Sequence, residues 1–176
     1  GESDGFERDL PRFNAWPYRD WVVRAFNDDM PYDRFARMQL AGDALEPPNR
    51  DSLAATGFLV AGPYPGQTTA KTLEPIRYDH LDDMLATTGT AFLGLTLGCA
   101  RCHEHKYDPI PSRDYYALAG IFRSTRTMEN LNFVSKFHER RIATAPQALF
   151  RRSRRGWKNY RCRSSSSKRH LSVKRF

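Results

Sequence analysis

The chain of 176 residues is 40% hydrophobic and 12% aromatic, which is enough for one domain with an apolar core. No run of about eighteen apolar residues is present, so no membrane-spanning helix is predicted. Residues 1–135 hold 14 Lys and Arg against 19 Asp and Glu, whereas residues 136–176 hold 14 against one. The net charge of +8 therefore reflects a basic C-terminal tail on a mildly acidic body.

Apolar residues recur at intervals of three and four along the body, which predicts a mainly α fold of about five helices. Asp51 or Ser52 is expected to cap the third helix and Ser112 the last, with Asp114 in the first turn of that last helix. The expected helices run from Trp16 to Asn27, Pro31 to Leu40, Asp51 to Val60, Glu74 to Leu97 and Ser112 to Phe122.

Some segments between the helices carry signals of their own. Residues 61–73 form a long connection rich in Gly and Pro, which is typical of functional loops and of plain surface loops alike. A short strand is predicted at residues 132–134. Gly89, Gly94 and Gly98 lack side chains and would allow a flat ring or another helix to approach closely.

The sequence Cys-Ala-Arg-Cys-His at residues 99–103 is the attachment pattern of c-type haem. Two thiols one helical turn apart reach the two vinyl-derived carbons on one porphyrin edge, and the imidazole that follows ligates the iron. Cys99 and Cys102 are thus the predicted anchors, and His103 is the predicted metal ligand. Because the preceding helix becomes apolar all round, we expect it to deliver these groups into the interior.

Other chemistry fits the same short segment. Four donors that could bind zinc lie within seven residues of one another, namely Cys99, Cys102, His103 and His105. Structural zinc usually joins two ligand pairs across a longer loop, so a second pair would have to use His138, His170 or Cys162. A redox dithiol would need a βαβ context, and two buried structural cysteines would leave the adjacent His unexplained. Covalent haem is the preferred interpretation, and zinc is the alternative.

A haem iron has a second axial position, and the sequence offers several residues for it. Of these, Met128 and His80 are preferred, because Met84 fits a core stripe and His105 lies too near His103 to reach the opposite face. The full set of candidates is Met84, Met128, His80, His105 and His138.

Further residues would support a bound haem. Asp108, or a backbone carbonyl within residues 109–111, is the expected acceptor for the other ring nitrogen of His103. The loop at residues 61–73 could cover one edge of the porphyrin.

The composition changes from Ala145 onward. Arginine runs at residues 151–155 and a serine run at residues 164–167 are low-complexity sequence that cannot bury enough apolar surface to fold. We predict a disordered tail, or a segment outside its proper reading frame. Nucleic-acid binding by the tail is disfavoured, because charge clusters alone are weak support for it.

Several blocks in residues 2–144 resemble a domain of unknown function found beside cytochrome c modules in large planctomycete-type secreted proteins. The motif block, residues 92–103 followed by residues 105–111 and 114–116, is the most specific. The other blocks are residues 2–6, 15–22, 31–35, 39–43 and 56–58.

This resemblance implies an exported, periplasmic-type protein with covalent haem at Cys99 and Cys102 and iron ligation by His103. It also implies neighbours on a longer chain: an upstream signal and cytochrome module, and a further domain downstream. The start at Gly1, without initiator Met or signal peptide, likewise indicates that the sequence is part of a longer protein. The tail departs from the family pattern.

The sequence therefore predicts a single helical domain at residues 1–143 and a basic tail at residues 144–176. The predicted function is a haem c-bearing module that transfers electrons to or from a redox partner, itself expected on the same longer chain. An open sixth iron position would instead allow small-molecule chemistry, so enzymatic activity is undecided. The alternative is a non-catalytic interaction module whose Cys and His residues bind zinc or no metal.

Overall fold

The computed structural model describes residues 2–5, 9–65, 67–125, 127–130, 136–137 and 142, with side chains omitted for residues 128–130 and 136–137. The chain divides into two units, Gly1–Ile142 and Ala143–Phe176, and every described residue belongs to the first. The predictions of a disordered tail and of a strand at residues 132–134 lie outside the described residues.

The described part of the chain is mainly helical, as predicted. Met128–Asn130 (β1) pairs with Lys136–Phe137 (β2) in a short antiparallel ladder that follows the last helix. The five α-helices are α1 (Trp16–Asn27), α2 (Tyr32–Ala41), α3 (Arg50–Ala55), α4 (Leu73–Thr88) and α5 (Ser112–Arg123).

The residues that begin α3 and α5 differ from the predicted caps. Asn49 caps α3, because its Oδ1 accepts hydrogen bonds from the backbone N–H of Asp51 at 3.0 Å and of Ser52 at 2.9 Å. The hydroxyl of Ser52 in turn accepts from the backbone N–H of Asn49, which completes a capping box. Ser112 is the first residue of α5 and makes no capping bond, whereas Asp114 does lie in the first turn.

The longest predicted helix, Glu74 to Leu97, ends earlier than expected. Helix α4 stops at Thr88 and continues as a single π-helical turn, Gly89–Leu93. Gly94 then adopts a left-handed conformation, with φ of 67°, which ends the right-handed helix. Glycine suits this position because residues with a side chain rarely adopt a positive φ. The chain folds back from Gly94, so the motif segment runs alongside α4 instead of extending it.

Helix α4 lies between two of the three apolar clusters. Leu81 and Met84 pack with Leu59 and Phe122 in one cluster, whereas Leu85 packs in the other. Leu81, Met84 and Leu85 are three and four residues apart, so they share one face of α4, and that face reaches both clusters. The cluster that contains Leu85 lies beside the motif and also includes Leu97, Ala100 and Tyr115. The third cluster lies among α1, α2 and α3, and its members are Trp21, Ala25, Met38, Ala54 and Ala55.

The N-terminal arm is tied to the loop after α3 by Arg12. Its guanidinium donates to the Asp4 carboxylate at 2.6 Å, to the Val60 carbonyl at 2.5 Å and to the Gly62 carbonyl at 2.8 Å. The backbone N–H of Tyr64 also donates to the carbonyl of Asp4, at 2.8 Å. The start of the predicted Gly/Pro-rich loop is therefore held against the arm.

Candidate functional site

The two motif cysteines lie on the outer side of one short helical turn. Leu97–Arg101 forms a 3-10 helix, and Cys102 follows it directly. A 3-10 helix has three residues per turn, so side chains three positions apart project in the same direction. Cys99 and Cys102 are both exposed, and both are free thiols.

The same spacing places the apolar residues of the turn on its inner side. Leu97 is 7% exposed and Ala100 is fully buried, and both pack with Leu85 and Tyr115. A Cβ atom at Gly89 would lie 2.5 Å from Leu97 Cγ, so only glycine allows this approach. The prediction that the thiols are delivered into the interior is thus wrong, because the turn buries its other face.

His103 is exposed, and one of its ring nitrogens is already bonded. Its Nδ1 lies 2.8 Å from the carbonyl oxygen of Glu104. A carbonyl only accepts hydrogen bonds, so Nδ1 carries the proton and the neutral ring keeps an open lone pair on Nε2. The predicted acceptor at Asp108 or residues 109–111 is therefore wrong, because the adjacent Glu104 carbonyl fills that role.

His105 is held inside the loop that follows. Its side chain is 6% exposed, and its Nδ1 accepts from the backbone N–H groups of Asp108 at 2.9 Å and Tyr107 at 3.3 Å. The proton therefore lies on Nε2, which donates to the Thr96 hydroxyl at 2.9 Å. Because both ring nitrogens are engaged, binding a metal through His105 would cost at least one of these hydrogen bonds.

Arg101, between the two cysteines, ties the turn to α4. Its Nη2 donates to Asp79 Oδ1 at 3.0 Å, and its Nη1 lies 3.2 Å from Asp82 Oδ2. The hydrogen bond with Asp79, together with the charge of Asp82, raises the pKa of Arg101 above its ordinary value despite partial desolvation.

Two tyrosines of α5 complete this contact network. The hydroxyl of Tyr115 donates to Asp82 Oδ1 at 2.5 Å, and that of Tyr116 donates to the carbonyl of Arg101 at 2.9 Å. Burial, and then the bond to the Asp82 carboxylate, raises the pKa of Tyr115 far above its ordinary value, so this tyrosine stays protonated. The motif turn is thus fixed to both α4 and α5 while its thiols face solvent.

A known family matches most of the chain. The family model PSCyt2, described as a protein of unknown function (DUF1549), matches residues 1–127. The chain belongs to this family. The match covers α1 to α5 and the Cys-x-x-Cys-His segment, and it ends before residue 144, where the resemblance was expected to end. No curated protein and no solved structure matches the chain.

In this PSCyt2 domain, His80 and Met84, two of the candidates for a second axial ligand, are not brought to His103. His80 projects towards a hollow that it shares with Met84, on the side of α4 away from the Asp79 and Asp82 contacts with the motif. Met84 is 3% exposed in the core. The side chain of Met128, together with all of His138, lies outside the described residues.

The described residues of the PSCyt2 domain also bear on metal binding. No three His, Cys, Asp or Glu side chains among them are arranged to hold a metal ion. His138, Cys162 and His170, the candidates for a second zinc pair, lie outside the described part of the chain. None of the helices that the structure describes is long and apolar enough to cross a bilayer.

The donor set does fit the attachment of a haem c. Cys99 and Cys102 share one exposed side of the turn, and the open Nε2 of His103 is the ring nitrogen that ligates iron when Nδ1 is held by a carbonyl. Because all three residues are exposed, a porphyrin bonded here would lie at the surface of the domain.

Proposed function

We propose that this chain is an attachment module for covalent haem and that it transfers electrons within a longer exported protein. The observation that carries the proposal is the joint exposure of the Cys99 and Cys102 thiols beside His103, whose Nδ1 already donates to a carbonyl. Membership of the PSCyt2 family, together with the resemblance to domains found beside cytochrome c modules, supports the same interpretation.

Attachment requires that each thiol add across one vinyl group of the porphyrin. Each thiol would bond through its sulfur to the vinyl carbon next to the ring, and its proton would pass to the outer carbon, so that the double bond would become single. No electron is gained or lost in this step. Cys99 and Cys102 suit it because they are free, exposed and on the same side of one turn.

The other residues of the site would hold the attached group in place. His103 offers Nε2 to the metal, and the Glu104 carbonyl fixes the orientation of its ring. Arg101 keeps the turn against α4 through Asp79 and Asp82. A bound haem c supplies a centre that accepts and releases one electron.

The exposure of the site favours a covering partner. A haem in contact with water on one face exchanges electrons readily with a neighbouring centre but is poorly shielded. We therefore propose that another domain of the same longer chain covers it and is the redox partner. This is consistent with the proposed export of the protein, since covalent attachment of haem takes place outside the cytoplasm in bacteria.

The alternative, an interaction module with zinc or no metal, has less support. A zinc site built within the motif segment would need His105 as its fourth ligand. That ring is buried and bonded on both sides, to Thr96 and to the backbone of residues 107–108. Cys99, Cys102 and His103 alone leave zinc one ligand short of the usual structural set.

The test is a pyridine haemochrome spectrum of the full chain, produced in a periplasm together with a haem-attachment system. We expect one haem per chain that survives denaturation and acid-acetone extraction. Replacing either thiol, by Cys99→Ala or Cys102→Ala, should leave a single thioether with a shifted band, and the double variant should lose the haem. Cys162→Ala is the matched control and should retain it.

Colourless wild-type protein with both thiols open to alkylation would contradict the haem proposal. Stoichiometric zinc and no iron by elemental analysis would establish the alternative. In that case His105→Ala should lower the zinc content, whereas His105→Ala should leave the haem covalently attached if the proposal is right.

A further inference from the structure

A hollow of about 280 Å³ lies on the side of α4 away from the motif. A second hollow of about 260 Å³ adjoins it and shares Arg77, Leu81 and Arg123 as walls. Together they form one cleft between α4 and the end of α5. Each hollow alone is slightly smaller than the usual small-molecule site, which begins at about 300 Å³. The remaining walls are Tyr64, His80, Met84, Phe122, Ser124, Thr125 and Thr127 in the first hollow, and Leu73, Glu74 and Tyr78 in the second.

The floor of the cleft is part of the apolar core. Leu81, Met84 and Phe122 are 7%, 3% and 6% exposed and pack against one another. The floor of the cleft is therefore held in place by core packing. An apolar floor favours the hydrocarbon part of a ligand, because covering it removes the last apolar surface from water.

Two guanidinium groups stand at the rim. Arg77 and Arg123 each wall both hollows, and neither takes part in an ion pair within the described part of the chain. This differs from Arg12 and Arg101, which are held by carboxylates. Glu74 is the one acid among the walls, so the arginines outnumber it by two to one.

The polar groups at the other end of the first hollow are neutral. The ring of His80 meets that of Tyr64 edge-on, with ring centres 5.6 Å apart. Desolvation lowers the pKa of His80, although Asp83 raises it in part, so the site favours the uncharged ring. Ser124 already donates its hydroxyl to the Ile121 carbonyl at 2.7 Å, which leaves its oxygen as an acceptor.

We propose that this cleft binds a small organic anion: a carboxylate with an apolar body. The apolar part would cover Leu81, Met84 and Phe122, and the carboxylate would accept hydrogen bonds from Arg77 and Arg123. Arginine suits this role because its planar guanidinium matches the two oxygens of a carboxylate. The cleft is separate from Cys99, Cys102 and His103, so this proposal does not depend on haem attachment.

The test uses phenylacetate as the probe and the full chain at pH 7.5, followed by NMR titration of backbone amides in α4 and α5. Binding should be saturable in the millimolar range and should shift residues near the cleft. The Arg77→Gln/Arg123→Gln double variant should bind at least about tenfold more weakly, since each guanidinium removed takes a charge-assisted hydrogen bond from the carboxylate. The neutral isostere phenylacetamide should bind the wild type equally weakly.

Matched controls separate this site from general charge effects. Arg34→Gln removes one exposed arginine from α2, which has no ion pair among the residues that the structure describes, and should change the affinity less than about twofold, because surface charges act weakly at a distance. Thr125→Trp keeps both arginines but obstructs the exposed mouth of the cleft, and it should also abolish binding. If the arginine variants fail to fold, Thr125→Trp still decides the question.

Three results would overturn the proposal. These are phenylacetate affinity that is unchanged in the double variant or in Thr125→Trp, phenylacetamide binding as tightly as phenylacetate, and the absence of any saturable shift in wild-type protein.

Discussion

The two sides of helix α4 differ in how their charged groups are satisfied. On the motif side, Asp79 and Asp82 bind Arg101, and Asp82 also accepts from Tyr115. On the cleft side, Arg77 borders two hollows without an ion pair among the described residues. One side uses its charges to fix a segment of the chain, and the other leaves its charge available to a ligand.

This difference matches the two roles proposed above. A site for covalent attachment needs a rigid support, because two thiols must meet two fixed positions on one porphyrin edge. A reversible site needs unsatisfied groups that a ligand can pair with. The same helix can serve both purposes, since its side chains project in different directions along one rigid backbone.

The largest expected effect comes from breaking the support on the motif side. Arg101→Gln should lower the free energy of unfolding by about 1–2 kcal/mol, since two carboxylates and the network around Tyr115 lose their cation. The expected loss of stability is small because the Arg101 side chain is 35% exposed and that of Asp79 is 66% exposed, so water screens the ion pair. Urea denaturation measures the change, and we also expect less haem per chain under the conditions used above.

A double-mutant cycle with Asp82→Asn tests whether this is a specific contact. The two changes should be less than additive by about 0.5–1 kcal/mol. Arg113→Gln is the matched control, because the side chain of Arg113 is 86% exposed and its one ion pair within the described part of the chain is with its neighbour Asp114. Equal effects of Arg101→Gln and Arg113→Gln would contradict the role given to Arg101.

A smaller effect is expected from the residue that turns the chain back along α4. Gly94→Ala should cost about 1 kcal/mol, because the left-handed φ of 67° disfavours a side chain even though nothing lies within 4 Å of its Cβ position. Gly120→Ala is the matched control: its Cβ position is equally open, but its place within α5 should make alanine stabilising by about 0.5–1 kcal/mol.

Thermal denaturation of both glycine variants, supported by urea curves, measures this contrast. Opposite shifts of the midpoint temperature are expected. If Gly94→Ala proved neutral, the left-handed turn would not be what separates α4 from the motif segment.

The sequence was sufficient for the helices but not for their ends. The periodicity correctly predicted a mainly α fold of about five helices, because amphipathic spacing depends on the residues of one helix alone. It carried the fourth helix through to Leu97, since apolar residues continue beyond Thr88 and Gly94 looked like a position for close packing. The cap of α3 was missed because Asn49, Asp51 and Ser52 are all good caps, and only the backbone conformation selects among them.

Only part of the candidate site could be predicted from the sequence. Cys99, Cys102 and His103 form a local pattern, so they could be found without a structure. The pairing of Arg101 with Asp79 and Asp82 joins residues some twenty positions apart, and no local spacing reveals it. The exposure of the thiols was also predicted wrongly. The apolar sequence around the motif does indicate a buried face, but Leu97 and Ala100 form that face, and the cysteines lie on the opposite one.

The smallest expected effect lies on the cleft side and concerns His80. Its pKa is lowered below the ordinary value of 6.5, first by burial and then by Arg12, with Asp83 acting in the opposite direction. The unfolded chain therefore takes up a proton near pH 6.5 that the folded chain resists, so the contribution of His80 to stability falls as the pH drops through 6.5 towards the lower folded pKa. Above pH 6.5 this contribution is fully present.

Comparing wild type with His80→Asn isolates this contribution from the carboxylates that also titrate on acidification. The free energy of unfolding should fall more between pH 7.5 and pH 5.5 in wild type than in the variant, and an NMR titration of the His80 ring should give a midpoint below 6.5. Arg12 also lowers the pKa of His80, so Arg12→Gln should raise that midpoint. A midpoint at or above 6.5 would mean that the hollow is better hydrated than its apolar floor implies, and the cleft side of α4 would then offer a ligand little advantage over water.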